Sequence, residues 1–373
     1  MKNKLVAAGM SGGADSTYAA YILKKQGYKV IGIMAKFWSC GNGDGERSNI
    51  CCTPESLDRA RENAKKIGID FYLIDLSKEF KEKVVDYYID EYKHFRTPNP
   101  CVVCNTEIKF GMLHDAAIKL GADYIATGHY AQIEDLSKFI KSKVHKVKKL
   151  EEKILRQAQD DTMVKGLILK RAEDKTKDQT YFLWQLTQNQ LRHSLFPLGE
   201  IKKDEVLRII KKEGFAISNK ESQDICFLGG FSNEDFLKKY IKLEAGDIKT
   251  TDGKIIGRHN GLYGCTIGQR HGIGVNLSEP SYIISLDEKT NSMIVGSAEE
   301  LERKEFTISN MNWFISEDQR NNLIVMTRYN QTPVSCTVLG NKVFLESKLK
   351  AITAGQSAVF YKDNLLVGGG IIE

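Results

Sequence analysis

The sequence predicts an α/β protein: a parallel-sheet domain, then a small β-rich central domain, then a C-terminal antiparallel β-barrel. Three observations carry this. From residue 4 to about 127, short apolar runs alternate with helical patterns, as in a parallel sheet with helices on both faces. A glycine-rich turn, Gly9-Met10-Ser11-Gly12-Gly13-Ala14-Asp15-Ser16, separates the first run from the first helical pattern. From about residue 282 onward, short strand-like runs and turn residues dominate, as in a small antiparallel barrel.

In order along the chain, residues 5–8, 30–35, 71–76 and 124–127 read as strands, and 17–26, 54–67, 81–92 and 109–120 as helices. Ligands of such sheets bind at the carboxyl ends of the strands. The Gly12-Gly13 turn, the segment after Met34 and Thr127-Gly128-His129 all fall at such ends. Residues 136–165 are lysine-rich and poor in large apolar side chains, and read as an exposed insertion between two strands. Helical patterns resume at 187–191, 203–213 and 231–241. Asp252-Gly253 between short β runs is a hairpin signal. Strands follow at 282–286, 293–295, 334–339, 343–345, 358–361 and 365–367. The domain division read from this is 1–228, 229–281 and 282–373.

Of the 373 residues, 42% are hydrophobic and 27% charged, as in a globular protein, and no run of 18 apolar residues occurs. The N-terminus enters a strand at once, without a signal-like apolar region, so the expected location is the cytoplasm. A net charge of +6 is compatible with a nucleic-acid partner without requiring one. Eight cysteines in such a chain do not read as a disulfide framework.

The loop from Gly9 to Ser16 has the make-up of a phosphate site. Glycines let backbone N–H groups approach an anion, Ser11 and Ser16 add hydroxyls, and the following helix offers its positive end. No lysine follows the glycines, so this is not the loop that holds a γ-phosphate for transfer. The segment resembles the Ser-Gly-Gly-x-Asp-Ser loop of the PP-loop ATP pyrophosphatases. That resemblance implies ATP cleavage between the α- and β-phosphates, with AMP attached to a substrate oxygen. Mg²⁺ would neutralise the pyrophosphate, with Asp15 the nearby carboxylate.

Thr97-Pro98-Asn99-Pro100-Cys101-Val102-Val103-Cys104-Asn105 is the second signal. Its two prolines suggest an irregular loop, on which Cys-x-x-Cys serves as a redox pair, half a metal site or a catalytic thiol with a neighbour. Cys226, in Asp224-Ile225-Cys226-Phe227, lies far away in sequence. No second Cys-x-x-Cys pair supports a closed zinc site. Cys265 and Cys336 sit in β-rich context as packed thiols, and Cys40, Cys51 and Cys52 form a scattered trio.

These motifs occur together with Thr127-Gly128-His129-Tyr130, Lys177-Asp178-Gln179, Gly268-Gln269-Arg270, Arg328-Tyr329 and a segment opening Gly355-Gln356-Ser357. In this order, they resemble the tRNA-specific 2-thiouridylase family over the whole chain outside the lysine-rich insertion. The resemblance implies adenylation of the C2 oxygen of the wobble uridine, followed by attack of a cysteine-borne sulfur and loss of AMP. It assigns Cys226 the persulfide and Cys104 the assisting role. Gly9 to Ser16 and Gly128 would contact ATP, with the backbone of Met34 and Ala35 near adenine. Asn99, Pro100 and Cys101 would border the flipped base, while His129, Lys177, Asp178, Gln179, Arg328, Tyr329 and Gln356 would contact tRNA. A cysteine desulfurase or sulfur-relay protein would supply sulfur, and a monomer is the default state.

Family members carry Asp where this chain has Cys101, and often Met in place of Ala35. Cys101, Cys104 and Cys226 therefore give three thiols around one site, a set that suits a [4Fe–4S] cluster with one open iron. A plain persulfide route stands beside that reading. Two other functions remain open from the residues alone. One is a PP-loop ligase using ammonia, which has no need of Cys104 and Cys226. The other is a non-catalytic tRNA-binding protein, which has no need of Asp15.

Overall fold

A computed structural model describes residues 4–38, 53–137, 166–218, 225–275 and 280–373. Cys40, Cys51, Cys52, Asp224 and nearly all of the lysine-rich insertion lie outside the described residues.

β1 (Leu5–Gly9), β2 (Lys29–Lys36), β3 (Phe71–Asp75) and β4 (Tyr124–Ala126) form the parallel sheet. β5 (Ala131–Asp135) and β6 (Leu167–Arg171) then pair as an antiparallel hairpin, and β7 (Ser194–Leu195) returns to the parallel sheet, giving the order β3-β2-β1-β4-β7. The alternation of side chains along β1 and β2 divides the core in two. Val6, Ala8, Val30 and Met34 pack with Ala20, Leu23, Ala60 and Ala64, while Ala7, Ile31, Ile33 and Ala35 join the larger cluster on the other face.

The helices follow local signals. α1 (Ala14–Lys25) starts from an extended Gly13 with no side-chain cap; Asp15 lies in its first turn and Lys24 and Lys25 in its last, which suits the helix dipole. α2 (Pro54–Ile67) is capped by Thr53, begins on Pro54 and stops at Gly68, whose φ of 75° is left-handed. Residues 77–93 are continuously helical, with a π-helical stretch Lys81–Val85.

The helix read from residue 109 begins nine residues earlier, at Pro100, and runs to Lys119 through a π-helical stretch Cys104–Met112. The Cys-x-x-Cys motif is thus helical, not on an irregular loop. Pro100 occupies the first helical turn, where its missing N–H has no intrahelical partner to lose, so the proline starts the helix instead of preventing it.

β8 (Gly246–Thr250) and β9 (Ile255–His259) form the hairpin signalled by Asp252-Gly253, with Gly253 at φ 88°. β10 (Tyr282–Asp287) and β11 (Ser292–Gly296) complete the same sheet, in the order β10-β11-β8-β9. Because β11 pairs parallel with β8, the division read at 281/282 falls at the entrance to a strand of the central sheet, and the barrel starts later.

The barrel comprises β12 (Glu302–Trp313), β13 (Leu323–Met326), β14 (Val334–Leu339), β15 (Lys342–Lys350), β16 (Ser357–Lys362) and β17 (Leu365–Ile372), closed by pairing of β12 with β17. β17 also pairs with β6, so the β5–β6 hairpin ties the barrel to the first domain. Glycines in β17 make room for aromatic rings: a Cβ on Gly369 would lie 2.5 Å from the fully buried Trp184, and one on Gly368 2.3 Å from Trp313. Among the described residues, no helix is long and apolar enough to cross a membrane.

Candidate active site

The glycine-rich loop closes on itself. Ser11 N–H donates to Ser16 Oγ at 3.1 Å, and the Ser16 hydroxyl donates to the Gly13 carbonyl at 3.1 Å. Ser16 therefore shapes the turn as well as lining the cavity it borders. Gly12 has φ 75°, and a Cβ there would lie 2.3 Å from the Ser56 carbonyl oxygen. Gly128 abuts the start of α1, where a Cβ would lie 2.8 Å from Asp15 C and Ser16 N. This close approach brings the end of β4 against the uncapped end of α1.

A cavity of ≈270 Å³ opens there, at the carboxyl ends of β1, β2 and β4. Gly9, Met10, Ser11, Asp15, Ser16, Met34, Ala35 and Gly128 line it, whereas Gly12, Gly13 and Ala14 form the turn and do not. Glycine-flanked backbone beside an uncapped helix end fits a phosphate chain, and the strand-end residues Met34 and Ala35 offer an apolar wall for a base. Phe37, Lys109 and Leu113 also line the cavity, and sequence reasoning missed all three. Lys109 and Leu113 come from the helix that begins at Pro100.

Asp15 is held from two directions. Lys203 Nζ donates to its Oδ1 at 2.8 Å and its Oδ2 at 2.7 Å, and the Tyr130 hydroxyl donates to Oδ1 at 2.9 Å. Neither partner was anticipated. The available signal was Lys203 itself, a lysine at the first position of the helix Lys203–Lys212, where the dipole disfavours a cation. It is only 8% exposed. For Mg²⁺, Oδ1 already accepts two donors while Oδ2 accepts one, so Oδ2 retains a lone pair. Mg²⁺ commonly takes one or two carboxylates plus substrate phosphates, and Asp15 fits that donor set.

His129 also lines the cavity. Its Nδ1 lies 2.7 Å from Thr127 Oγ1, and its ring packs against the Phe110–Phe196 pair. Desolvation by the surrounding protein, and then the Lys109 charge, push its pKa well below the ordinary value. Both causes favour the neutral ring. Gln179 lines the same cavity and accepts the Tyr130 N–H at 3.0 Å, which fixes the residue whose hydroxyl holds Asp15.

The three cysteines occupy unlike environments: Cys101 is exposed, Cys104 buried and Cys226 half-buried. Among the described residues, no group of three His, Cys, Asp or Glu side chains is arranged to hold a metal ion. Cys101 and Cys104 stand three positions apart in the first turns of the cysteine helix, on neighbouring positions of one helix face. Cys226 opens a short 3₁₀ turn whose next residue, Phe227, is buried against Tyr88, Phe236 and Phe80, with ring centroids at 5.1, 5.5 and 6.0 Å. Phe80 in turn stacks at 4.7 Å on Phe37, the cavity residue. One aromatic chain therefore runs from the cavity wall to the neighbour of Cys226. Burial pushes the Cys265 thiol up to about 11 and Cys336 up to about 12, as for packed, unreactive thiols.

Residues 4–230 match the tRNA methyl transferase HUP domain, 234–297 the tRNA methyl transferase PRC-barrel domain and 303–372 the aminomethyltransferase beta-barrel domain. Over 381 residues the chain is 40% identical to the tRNA-specific 2-thiouridylase MnmA of Clostridioides difficile (strain 630), covering 100% of this chain and 98% of that one. The chain belongs to the tRNA-specific 2-thiouridylase family. The tRNA-specific 2-thiouridylase MnmA 1 of Clostridium botulinum (strain Loch Maree / Type A3) is 39% identical over 383 residues, with both chains fully covered. A solved structure, the U34-tRNA thiolase NcsA from Methanococcus maripaludis with its [4Fe-4S] cluster, is 19% identical over 64% of this chain and 67% of its own. Its TM-score of 0.33 is too low to bear on the cofactor.

The positions that the family resemblance assigns to tRNA divide by location. Asn99 is buried and Pro100 starts the cysteine helix. Asp178 is nearly buried and accepts from Ala172 N–H at 2.9 Å and the Thr180 hydroxyl at 2.8 Å; burial raises its pKa. Asp178 and Tyr329 line a second cavity of ≈160 Å³ together with Arg171 and Lys175, apart from the first. Lys177 lies on the turn leading to Asp178, its N–H bonded to the Asp174 carbonyl. Arg328 Nη2 donates to the carbonyls of Ile267 and Ala351 at 3.2 and 2.8 Å, linking central domain and barrel. Gln356 Nε2 donates to the carbonyls of Thr97 and Pro98 at 3.0 and 3.1 Å.

Proposed function

We propose that this protein 2-thiolates the wobble uridine of tRNA, with ATP as co-substrate. The observation that carries the reading is one cavity bordered by three elements: the glycine-rich loop, the helix that carries Cys101 and Cys104 in its first turns, and the aromatic chain ending beside Cys226. Cys104 precedes the cavity residue Lys109 by five positions within the same π-helical stretch.

In this reading, Gly9, Ser11 and Gly128 hold the nucleotide phosphates, with Lys109 adding positive charge beside them. Asp15 Oδ2 would hold Mg²⁺, which neutralises the departing pyrophosphate. The uridine C2 oxygen attacks the α-phosphorus, and pyrophosphate leaves. A ring carbonyl oxygen is a poor leaving group until it is adenylated. The terminal sulfur of a Cys226 persulfide then attacks C2, and AMP departs with the original oxygen. Attack of the Cys104 thiolate on Cys226 Sγ releases 2-thiouridine and leaves a Cys104–Cys226 disulfide, which an external thiol reduces. A cysteine desulfurase or relay protein supplies the persulfide sulfur.

The test is isotopic. With ¹⁸O at C2 of the target uridine, AMP should gain the label as 2-thiouridine forms. Thiolation with label recovered in water alone would exclude adenylation at that oxygen.

A further inference from the structure

We propose that Gln356 is a positioning residue that sets the start of the cysteine helix, a role that rests on the thiolation reading. Its amide nitrogen bridges two consecutive carbonyls, Thr97 O and Pro98 O, immediately before Asn99 and Pro100. The rest of the barrel corner adds to this grip. Thr97 N–H donates to the Ala354 carbonyl at 2.9 Å. Gly355, at φ 87°, leaves no room for a side chain: a Cβ would lie 2.9 Å from Thr97 O and 3.0 Å from Arg96 Cβ. Tyr181 donates to Ser357 O at 2.9 Å.

The corner is itself anchored. Gly355 N–H donates to Ile372 O at 2.9 Å, and Ile372 N–H returns to Gln356 O at 2.8 Å, fastening it to the end of β17. On the other side of the strap, Phe95 takes a left-handed φ of 53° and sets its ring 5.6 Å from Tyr263 of the central domain. A bulky residue holds that conformation only where surrounding packing compensates it. Thr97 Oγ1 adds a bond to Thr266 at 3.3 Å. The four residues before Pro100 are thus held by the central domain and the barrel together, and Gln356 makes the side-chain bonds from the barrel. Displacing them moves Cys101 and Cys104, because both lie in the first turns of the helix that follows.

The test compares Gln356→Leu with wild-type full-length protein in two assays. In the first, thiolation is followed over a range of tRNA concentrations. Positioning predicts kcat lowered by about tenfold or more with KM for tRNA within about twofold. A raised KM at unchanged kcat would overturn the proposal and assign Gln356 to tRNA binding alone. In the second, iodoacetamide labelling of Cys104 without tRNA is read by mass spectrometry against Cys336. Labelling should quicken several-fold in Gln356→Leu, and an unchanged ratio would overturn the proposal. The labelling assay does not depend on activity, so a wild-type protein that fails to thiolate counts against the proposed function and leaves this test standing. Gln356→Asn, a shorter amide, gives the same comparison if the Leu variant does not fold.

Discussion

Lys203 grips both carboxylate oxygens of Asp15, at 2.8 and 2.7 Å, across 188 positions of sequence. This pair fastens the phosphate loop to the helix Lys203–Lys212, which packs directly against α1. Lys203→Met should lower stability by about 2 kcal/mol, the scale of a hydrogen bond to a charged group. It should also raise the KM for ATP by about tenfold, as Asp15 swings free of its place. The double variant with Asp15→Asn should cost less than the sum of the two single changes, which urea unfolding of all four proteins measures. Strict additivity would show that the pair does not act as a unit.

Gly128 is required by close approach and not by flexibility. Gly128→Ala places a methyl 2.8 Å from the backbone of Asp15 and Ser16 and should cost about 1–3 kcal/mol, together with ATP binding measured by calorimetry. Gly27→Ala is the control. Its φ of 88° makes alanine costly by about 1–2 kcal/mol, but nothing lies within 4 Å of the added carbon, so ATP binding should survive.

His129 makes a prediction about pH. Its pKa is lowered in the folded protein, so the unfolded chain binds more protons as pH falls below about 6.5. Stability should therefore drop as pH falls through that value, by at most about 1.4 kcal/mol per pH unit from this group. His259 is shifted in the same direction by burial and adds to the same slope. His129→Gln should flatten the dependence between pH 7 and 5 and leave the part due to His259. An unchanged slope would mean that His129 is protonated in the folded state.

The aromatic chain predicts separable steps. Phe227→Leu keeps apolar bulk but loses the ring contacts to Tyr88, Phe236 and Phe80 that fix the turn at Cys226. Sulfur transfer should slow by about tenfold while ATP-binding affinity stays unchanged. Equal loss in both would place the defect in the fold.

Much of this was legible in the sequence. The parallel strands, α2 and the Asp252-Gly253 hairpin follow from apolar runs and their bounding turn residues. The phosphate loop was legible because its glycines answer local backbone demands. β12 was not read, for it shows no clean alternation and faces solvent along much of its length. β13 and β7 are too short to stand out. The prolines around Asn99 suggest an irregular loop, but Pro100 starts a helix, because a proline in the first turn loses no intrahelical bond. Long-range partnerships were invisible for a different reason. Nothing near Lys203 or Gln356 in sequence records the groups they touch, Asp15 and the Thr97-Pro98 carbonyls.

The measurement that bears most directly on the central claim is single-turnover thiolation by iron-free protein preloaded with persulfide sulfur. The product is 2-thiouridine in unmodified tRNA, with and without ATP and in Cys226→Ser. The account predicts product in the wild-type protein only when ATP is present, and none from Cys226→Ser. Product that forms without ATP, persists without Cys226, or appears only after iron is restored would contradict it.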